Sequence, residues 1–196
     1  MSGWIYNLHL VGAYTGSRGE YAHNISVGGV NGVTIKGNLL ESPIGDAVAD
    51  NAQENDASAA RNVLVDGNTM LHPARCMVSL VNVSDRWAIM NNVMDDSTPW
   101  VSPVDLEPWQ GASYITNVEV GYNRVTTPAD DAETQAGNYI GVVTASGWFD
   151  ATPGGNVFAH HNYGSWPFAR FVAVASNAGT FTNVVDVSNV QGSSVP

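Results

Sequence analysis

The sequence predicts an all-β chain wound as a parallel β-helix, and three observations carry that prediction. One phrase recurs five times: Val33-Thr34-Ile35-Lys36-Gly37-Asn38, Val63-Leu64-Val65-Asp66-Gly67-Asn68, Trp87-Ala88-Ile89-Met90-Asn91-Asn92, Val118-Glu119-Val120-Gly121-Tyr122-Asn123 and Val157-Phe158-Ala159-His160-His161-Asn162. Each copy sets two apolar residues one residue apart, on one face of a short strand, with an asparagine three residues further on. The asparagines recur at intervals of 30, 24, 31 and 39 residues, inside the range that marks stacked-repeat folds. Stacked roughly 4.8 Å apart, like strands run parallel. Aligned asparagines then hydrogen-bond up the stack, and the apolar pairs fill one continuous core.

The elements follow in chain order. At the start, Trp4-Ile5-Tyr6-Asn7 matches the phrase but is out of register by about one residue. Between ladder positions runs a second apolar element: Gly45-Asp46-Ala47-Val48, Arg75-Cys76-Met77-Val78-Ser79-Leu80 and Val104-Asp105-Leu106-Glu107-Pro108. With Val48, Val78, Val104, Leu80 and Leu106 inward, alternation sends Arg75, Met77, Ser79, Asp105 and Glu107 to the outer face. At the far end, Asn189 extends the ladder only if Asp186 points into the core. Neither end carries an evident cap, and a stack needs its ends covered, by further chain of a longer spike or by a partner. Residues 1–190 therefore read as a single domain of about five to seven coils. Residues 191–196 read as a flexible tail.

Three rival folds fare worse. Leucine occurs at only eight positions, too few for a leucine-rich-repeat frame. A βα barrel or doubly wound sheet needs an amphipathic helix in each interval, and only Ala49–Ala60, rich in Asp and Asn, has helix-like composition. A β-sandwich, the second-ranked fold, favours short hairpin turns over a returning period.

Composition narrows the function. The 196 residues suit one domain. Net charge is −11 and Lys36 is the only lysine, so no basic stripe is available for a phosphate backbone and nucleic acid is not an expected partner. With 44% hydrophobic and 13% charged residues the chain is no disordered segment. The single cysteine, Cys76, rules out an internal disulfide framework and a Cys-rich zinc site. No run of about eighteen uncharged apolar residues is present to span a bilayer, and the start shows neither a basic n-region nor a signal cleavage site. No membrane association is expected.

Taken with Gly19-Glu20-Tyr21-Ala22-His23, the ladder phrase and the second-element segments resemble the pectate-lyase-like right-handed parallel β-helix proteins. Within them, phage appendage and tail-spike polysaccharide depolymerases are the most similar. The resemblance covers roughly residues 1–125. It implies a right-handed, single-stranded helix, an extracellular or virion-associated location, and a glycan-cleaving groove lined by Asp105, Glu107 and Arg75. The chain departs from the family where Gly45-Asp46-Ala47-Val48 replaces the common Gly-Asp-Gly-Ile, and where Cys76 and Met77 replace a polar residue and a glycine.

The chemistry also stands on the residues themselves. Glycoside hydrolysis needs one carboxyl to protonate the leaving oxygen and another to activate water or attack the sugar, about 5–9.5 Å apart. Residues i and i+2 of a strand lie roughly 6.5–7 Å apart, which Asp105 and Glu107 satisfy. Two like charges so close raise one pKa and make an acid and a base of the pair. Arg75 suits a substrate carboxylate or developing charge, although the simplest register leaves it about 13 Å along the strand from Asp105. Only a bend near Pro73 and Pro103 or a long reach closes that gap.

Further candidates surround the pair. Asp46, after Gly45 in a turn, is a substrate-binding candidate, a partner for Arg75, or a side chain bonded to backbone. Trp100 and Trp109 bracket the carboxylates and suit the apolar faces of sugar rings. Glu20 and His23 either enter the groove or pin the loop after Thr15-Gly16-Ser17. Trp87 takes an inward position and belongs to the core. His160 and His161, as neighbours in a strand, face opposite ways and do not chelate one ion. Asp130-Asp131-Ala132-Glu133 matches no calcium-loop spacing. The expectation is a polysaccharide hydrolase without a cofactor. One alternative is a calcium-dependent lyase with Arg75 as base, and the other is a non-catalytic adhesin or spike segment. A homotrimer is a further reading.

Overall fold

The computed structural model describes residues 2–12, 22–50, 58–81, 83–95, 102–108, 113–126, 143–145, 154–164, 172–174 and 181–191, with residues 143–145, 173–174 and 191 by backbone alone. They form three parallel sheets and no α-helix. Sheet 1 stacks Gly3–Tyr6, Asn31–Lys36, Ala60–Asp66, Val83–Met90, Tyr114–Gly121, Gly155–His160 and Thr182–Val187. Sheet 2 stacks His9–Val11, Leu39–Glu41, Thr69–Leu71, Val93–Asp95, Arg124–Thr126, Tyr163–Gly164 and Val190–Gln191. Sheet 3 stacks Ile25–Val27, Val48–Asp50, Val78–Val81, Val104–Glu107, Val143–Ala145 and Val172–Val174. The chain visits sheets 1, 2 and 3 in turn and then returns to the first.

The recurring phrase forms sheet 1 in the register its spacing predicts. Val33, Val63, Trp87, Val118 and Val157 align, as do Ile35, Val65, Ile89, Val120 and Ala159, and all ten are buried. Trp87 fills its inward place with its indole N–H donating to Ala60 O at 3.1 Å. At the corner into sheet 2 the asparagines stack. Each side-chain Oδ1 accepts the backbone N–H and the Nδ2 of the preceding rung at 2.9–3.0 Å, from Asn38 through Asn68, Asn92 and Asn123 to Asn162. Asn189 continues the column at 2.8–2.9 Å. As expected, that puts Asp186 in the inward column opposite Ala159; it sits there without being buried because the last strand is exposed.

The first strand is offset by one, as its sequence predicts. Ile5 pairs with Ile35, so Leu8 rather than Asn7 reaches the ladder level, and its N–H donates to Asn38 Oδ1 at 3.0 Å. Gln191, assigned above to the tail, pairs with Gly164 in sheet 2.

Two columns of left-handed backbone bend sheet 1. The residue before each ladder position, Asn7, Gly37, Gly67, Asn91, Tyr122, His161 and Ser188, has φ between 50° and 64°. A second column, Gly32, Asn62, Arg86, Asn117, Asn156 and Asn183, kinks the strands before their apolar pairs, with φ between 53° and 83°. Glycine and asparagine dominate both because they tolerate this region.

The second column also carries an exposed amide ladder. Asn62 donates to Asn31 at 2.6 Å, Asn156 to Asn117 at 2.9 Å and Asn183 to Asn156 at 3.0 Å. At the fourth strand two residues share the work of one asparagine. Arg86 Nε donates to Asn62 Oδ1 at 2.8 Å, and Asp85 Oδ1 accepts Asn117 Nδ2 at 2.7 Å. An ion pair of 3.1 Å joins Arg86 to Asp85.

Candidate active site on the third sheet

Sheet 3 bears out the predicted inward set: Val48, Val78 and Val104 align and are buried with Leu80 and Leu106. On the opposite side, Ala49, Ser79 and Asp105 form one column and Glu107 follows two residues on. That side is not open to solvent, contrary to the outward display expected from alternation. Asp105 is only 2% exposed and Ser79 is fully buried. Met77, placed outward above, is also fully buried and belongs to the main hydrophobic cluster. Alternation gives the face of a residue, not what covers it.

A polar row crosses the sheet just before these strands. His23, Asp46, Cys76 and Ser102 each stand two residues ahead of aligned valine or isoleucine positions, so the register sets them side by side. His23 Nδ1 lies 3.0 Å from the Asp46 N–H and 3.1 Å from Asp46 Oδ2. The Cys76 N–H donates to Asp46 Oδ1 at 2.9 Å. The expected side-chain bond from Asp46 to backbone and its pairing with Arg75 are both present, the latter with Nε 3.8 Å from Oδ1. His23 ties to Asp46, while the loop it was expected to pin, residues 15–17, lies outside the described residues.

Arg75 is within electrostatic reach of the two carboxyls despite its offset along the strand. The chain bends at Ala74 and Arg75, and the guanidinium lies within the field of both Asp105 and Glu107. Burial opposes its charge, but the negative groups around it, led by Asp46, outweigh that and raise its pKa.

Asp105 carries the largest functional signal. Burial pushes its pKa well above the usual carboxylate range. The Glu107 and Asp46 charges and a hydrogen bond with Glu107 add to the shift, while Arg75 opposes it. Asp105 thus holds its proton to higher pH than an ordinary aspartate and shares a hydrogen bond with the partly exposed Glu107. In this rotamer the two carboxyls touch, closer than the separation strand spacing predicts and closer than glycosidase pairs stand.

Cys76 is no nucleophile here. Burial holds its thiol well above its usual pKa, and Asp46 and Asp105 push the same way. Asp46 also stands between His23 and Cys76, where a Cys–His pair would need direct contact.

Ser79 was not read as a site residue. Its buried hydroxyl has no hydrogen-bond partner among the described residues, one rung from Asp105; a serine aligned with an acidic residue was the available sequence signal. Trp100, Trp109 and Glu20, together with Asp130–Glu133, lie outside the described residues. Among the described residues no three His, Cys, Asp or Glu side chains converge as metal ligands. No protein-family model matches the chain, and neither does any curated protein or any solved structure.

Proposed function

We propose that the three sheets wind as a right-handed, single-stranded parallel β-helix, and that the third sheet binds and hydrolyses a polysaccharide. Asp105 protonates the glycosidic oxygen, and Glu107 swings from Asp105 toward solvent to activate water or attack the sugar. Turning Glu107 outward brings the pair into the working separation, since the two residues are i and i+2 on one strand. Arg75, kept charged by Asp46, holds an anionic substituent or the charge that develops.

The observation that carries this reading is the unequal pair: a buried carboxyl with a raised pKa, hydrogen-bonded to a more exposed carboxyl within the field of an arginine. Environments that push two titrating groups apart are how enzymes assign acid and base. The raised pKa of Arg75 counts against the lyase reading, in which it must give up a proton. A binding role without cleavage has one observation in its favour, the closed pair with Asp105 nearly excluded from solvent.

The test is digestion of a panel of capsular and cell-wall polysaccharides, followed by the mass of the products. Hydrolysis gives new reducing ends and no unsaturated products. Asp105→Asn and Glu107→Gln each suppress it by orders of magnitude with the circular dichroism spectrum unchanged. Full activity in both variants overturns the proposal, and binding without chain shortening replaces it with the adhesin reading.

A further inference from the structure

A second polar cluster lies at the corner where sheet 1 ends, outside the third sheet. His160 closes the strand Gly155–His160 opposite Gly121. Its imidazole occupies the space that a side chain at Gly121 would need, because a Cβ there would lie 2.6 Å from His160 Cε1 and 2.9 Å from Met90 Cε.

The next residue is not in the strand. His161 has φ 50° and belongs to the left-handed corner column. The alternation that separates neighbouring strand side chains therefore stops at His160, and the two imidazoles turn toward each other with Nδ1 atoms 3.1 Å apart. This corrects the expectation that the pair faces opposite ways.

Both rings are held. Phe158 stacks on His160 with centroids 4.5 Å apart, and Tyr122 stands edge-on to it at 5.2 Å. Tyr122 also stacks on His161 at 5.1 Å and 12°. His160 Nε2 lies 2.9 Å from Glu119 Oε1. A carboxylate there takes the Nε2–H, which leaves the lone pair of His160 on Nδ1, facing His161.

We propose that His160 and His161 chelate a divalent transition-metal ion through their Nδ1 atoms, with water completing the coordination. Two nitrogens bound cis at about 2.0–2.1 Å from one ion stand roughly 2.9–3.4 Å apart, and the observed separation falls inside that span. Binding selects the His161 tautomer that carries its single N–H on Nε2, so that both Nδ1 lone pairs are free for the ion. A ligating histidine that donates its other N–H to a carboxylate is the outer-shell arrangement that fixes tautomer and ring orientation. Two imidazoles select zinc, copper or nickel over calcium or magnesium.

The experiment is zinc titration of the untagged full chain by calorimetry, paired with copper(II) electron paramagnetic resonance. One equivalent of zinc binds. Asn occupies the same left-handed corner at positions 7 and 91, so His161→Asn folds normally and loses the site. Glu119→Gln weakens binding by about 10–100-fold, and His9→Gln leaves it unchanged. The copper spectrum of the parent protein shows coupling to two nitrogens. Failure of the parent to bind zinc, equal affinity in His161→Asn, or a copper spectrum without two coupled nitrogens overturns the proposal.

Discussion

The chain buries two polar arrays of opposite design. At the corner between sheets 1 and 2, Asn38, Asn68, Asn92, Asn123 and Asn162 repeat one neutral group, and each amide is fully paired. Each Nδ2 donates to the next rung and to a carbonyl of the preceding circuit, as Asn68 does to Asn92 Oδ1 and Ile35 O, both at 3.0 Å. On sheet 3 nothing repeats. Asp46, Arg75, Asp105 and Glu107 each occur once, burial raises the pKa of one carboxyl, and the Ser79 hydroxyl beside it has no hydrogen-bond partner among the described residues. A satisfied, repeated amide adds to stability wherever it recurs. A single ionisable cluster with an orphaned hydroxyl costs stability, and such a cost marks a functional site. The contrast separates polarity that builds the stack from polarity with another purpose.

The largest expected effect is therefore in the neutral array. Asn92→Ala takes the acceptor from Asn68 N–H and Nδ2, and the donor from Val65 O and Asn123 Oδ1. At about 1–3 kcal/mol for each orphaned buried group, the loss is at least about 3 kcal/mol by chemical denaturation. A loss below about 1 kcal/mol breaks the comparison.

Asp105→Asn sharpens the other side. Because the folded-state pKa of Asp105 is raised, its contribution to stability is fully present below its unfolded value of about 3.9 and declines as pH rises toward the folded value. The variant lacks that decline. It matches the parent near pH 3 and becomes the more stable of the two above pH 4, the gap widening by up to about 1.4 kcal/mol per pH unit. Denaturation curves at several pH values check this, and a pH-independent difference contradicts it.

The exposed amide ladder supplies the smaller tests. Arg86→Ala removes the donor to Asn62 and puts alanine in a left-handed position, a loss of about 1–2 kcal/mol by thermal unfolding. Arg86→Asn recovers most of it. Asn156→Gly keeps the backbone conformation and deletes an exposed amide that water replaces, so its effect stays below about 1 kcal/mol. A loss as large as that of Asn92→Ala would show that solvent does not distinguish the two ladders.

Much of the stack was legible because repetition ties one residue type to one role. The Val33–Ile35 pair and Asn38 recur, so their register followed from spacing, and even the offset of Trp4-Ile5-Tyr6-Asn7 could be read. The exposed ladder was missed because Asn62, Asn117 and Asn156 look like ordinary solvent-facing polar residues, and the split of one rung into Asp85 and Arg86 has no periodic signal. At the candidate site, spacing put Asp105 and Glu107 on one face, yet their burial and mutual hydrogen bond depend on what packs above them, which alternation does not encode. His160 and His161 were misread for a related reason. Period-two logic holds only inside a strand, and His161 has already turned the corner.

The central claim is that Asp105 keeps its proton where ordinary aspartates have lost theirs. Carboxyl carbon-13 resonances of the folded chain, followed from pH 3 to 8 and assigned with Asp105→Asn, test it directly. The account predicts that the Asp105 signal keeps its protonated position to clearly higher pH than the signals of the exposed aspartates. A signal that titrates near pH 4 with the exposed aspartates contradicts it.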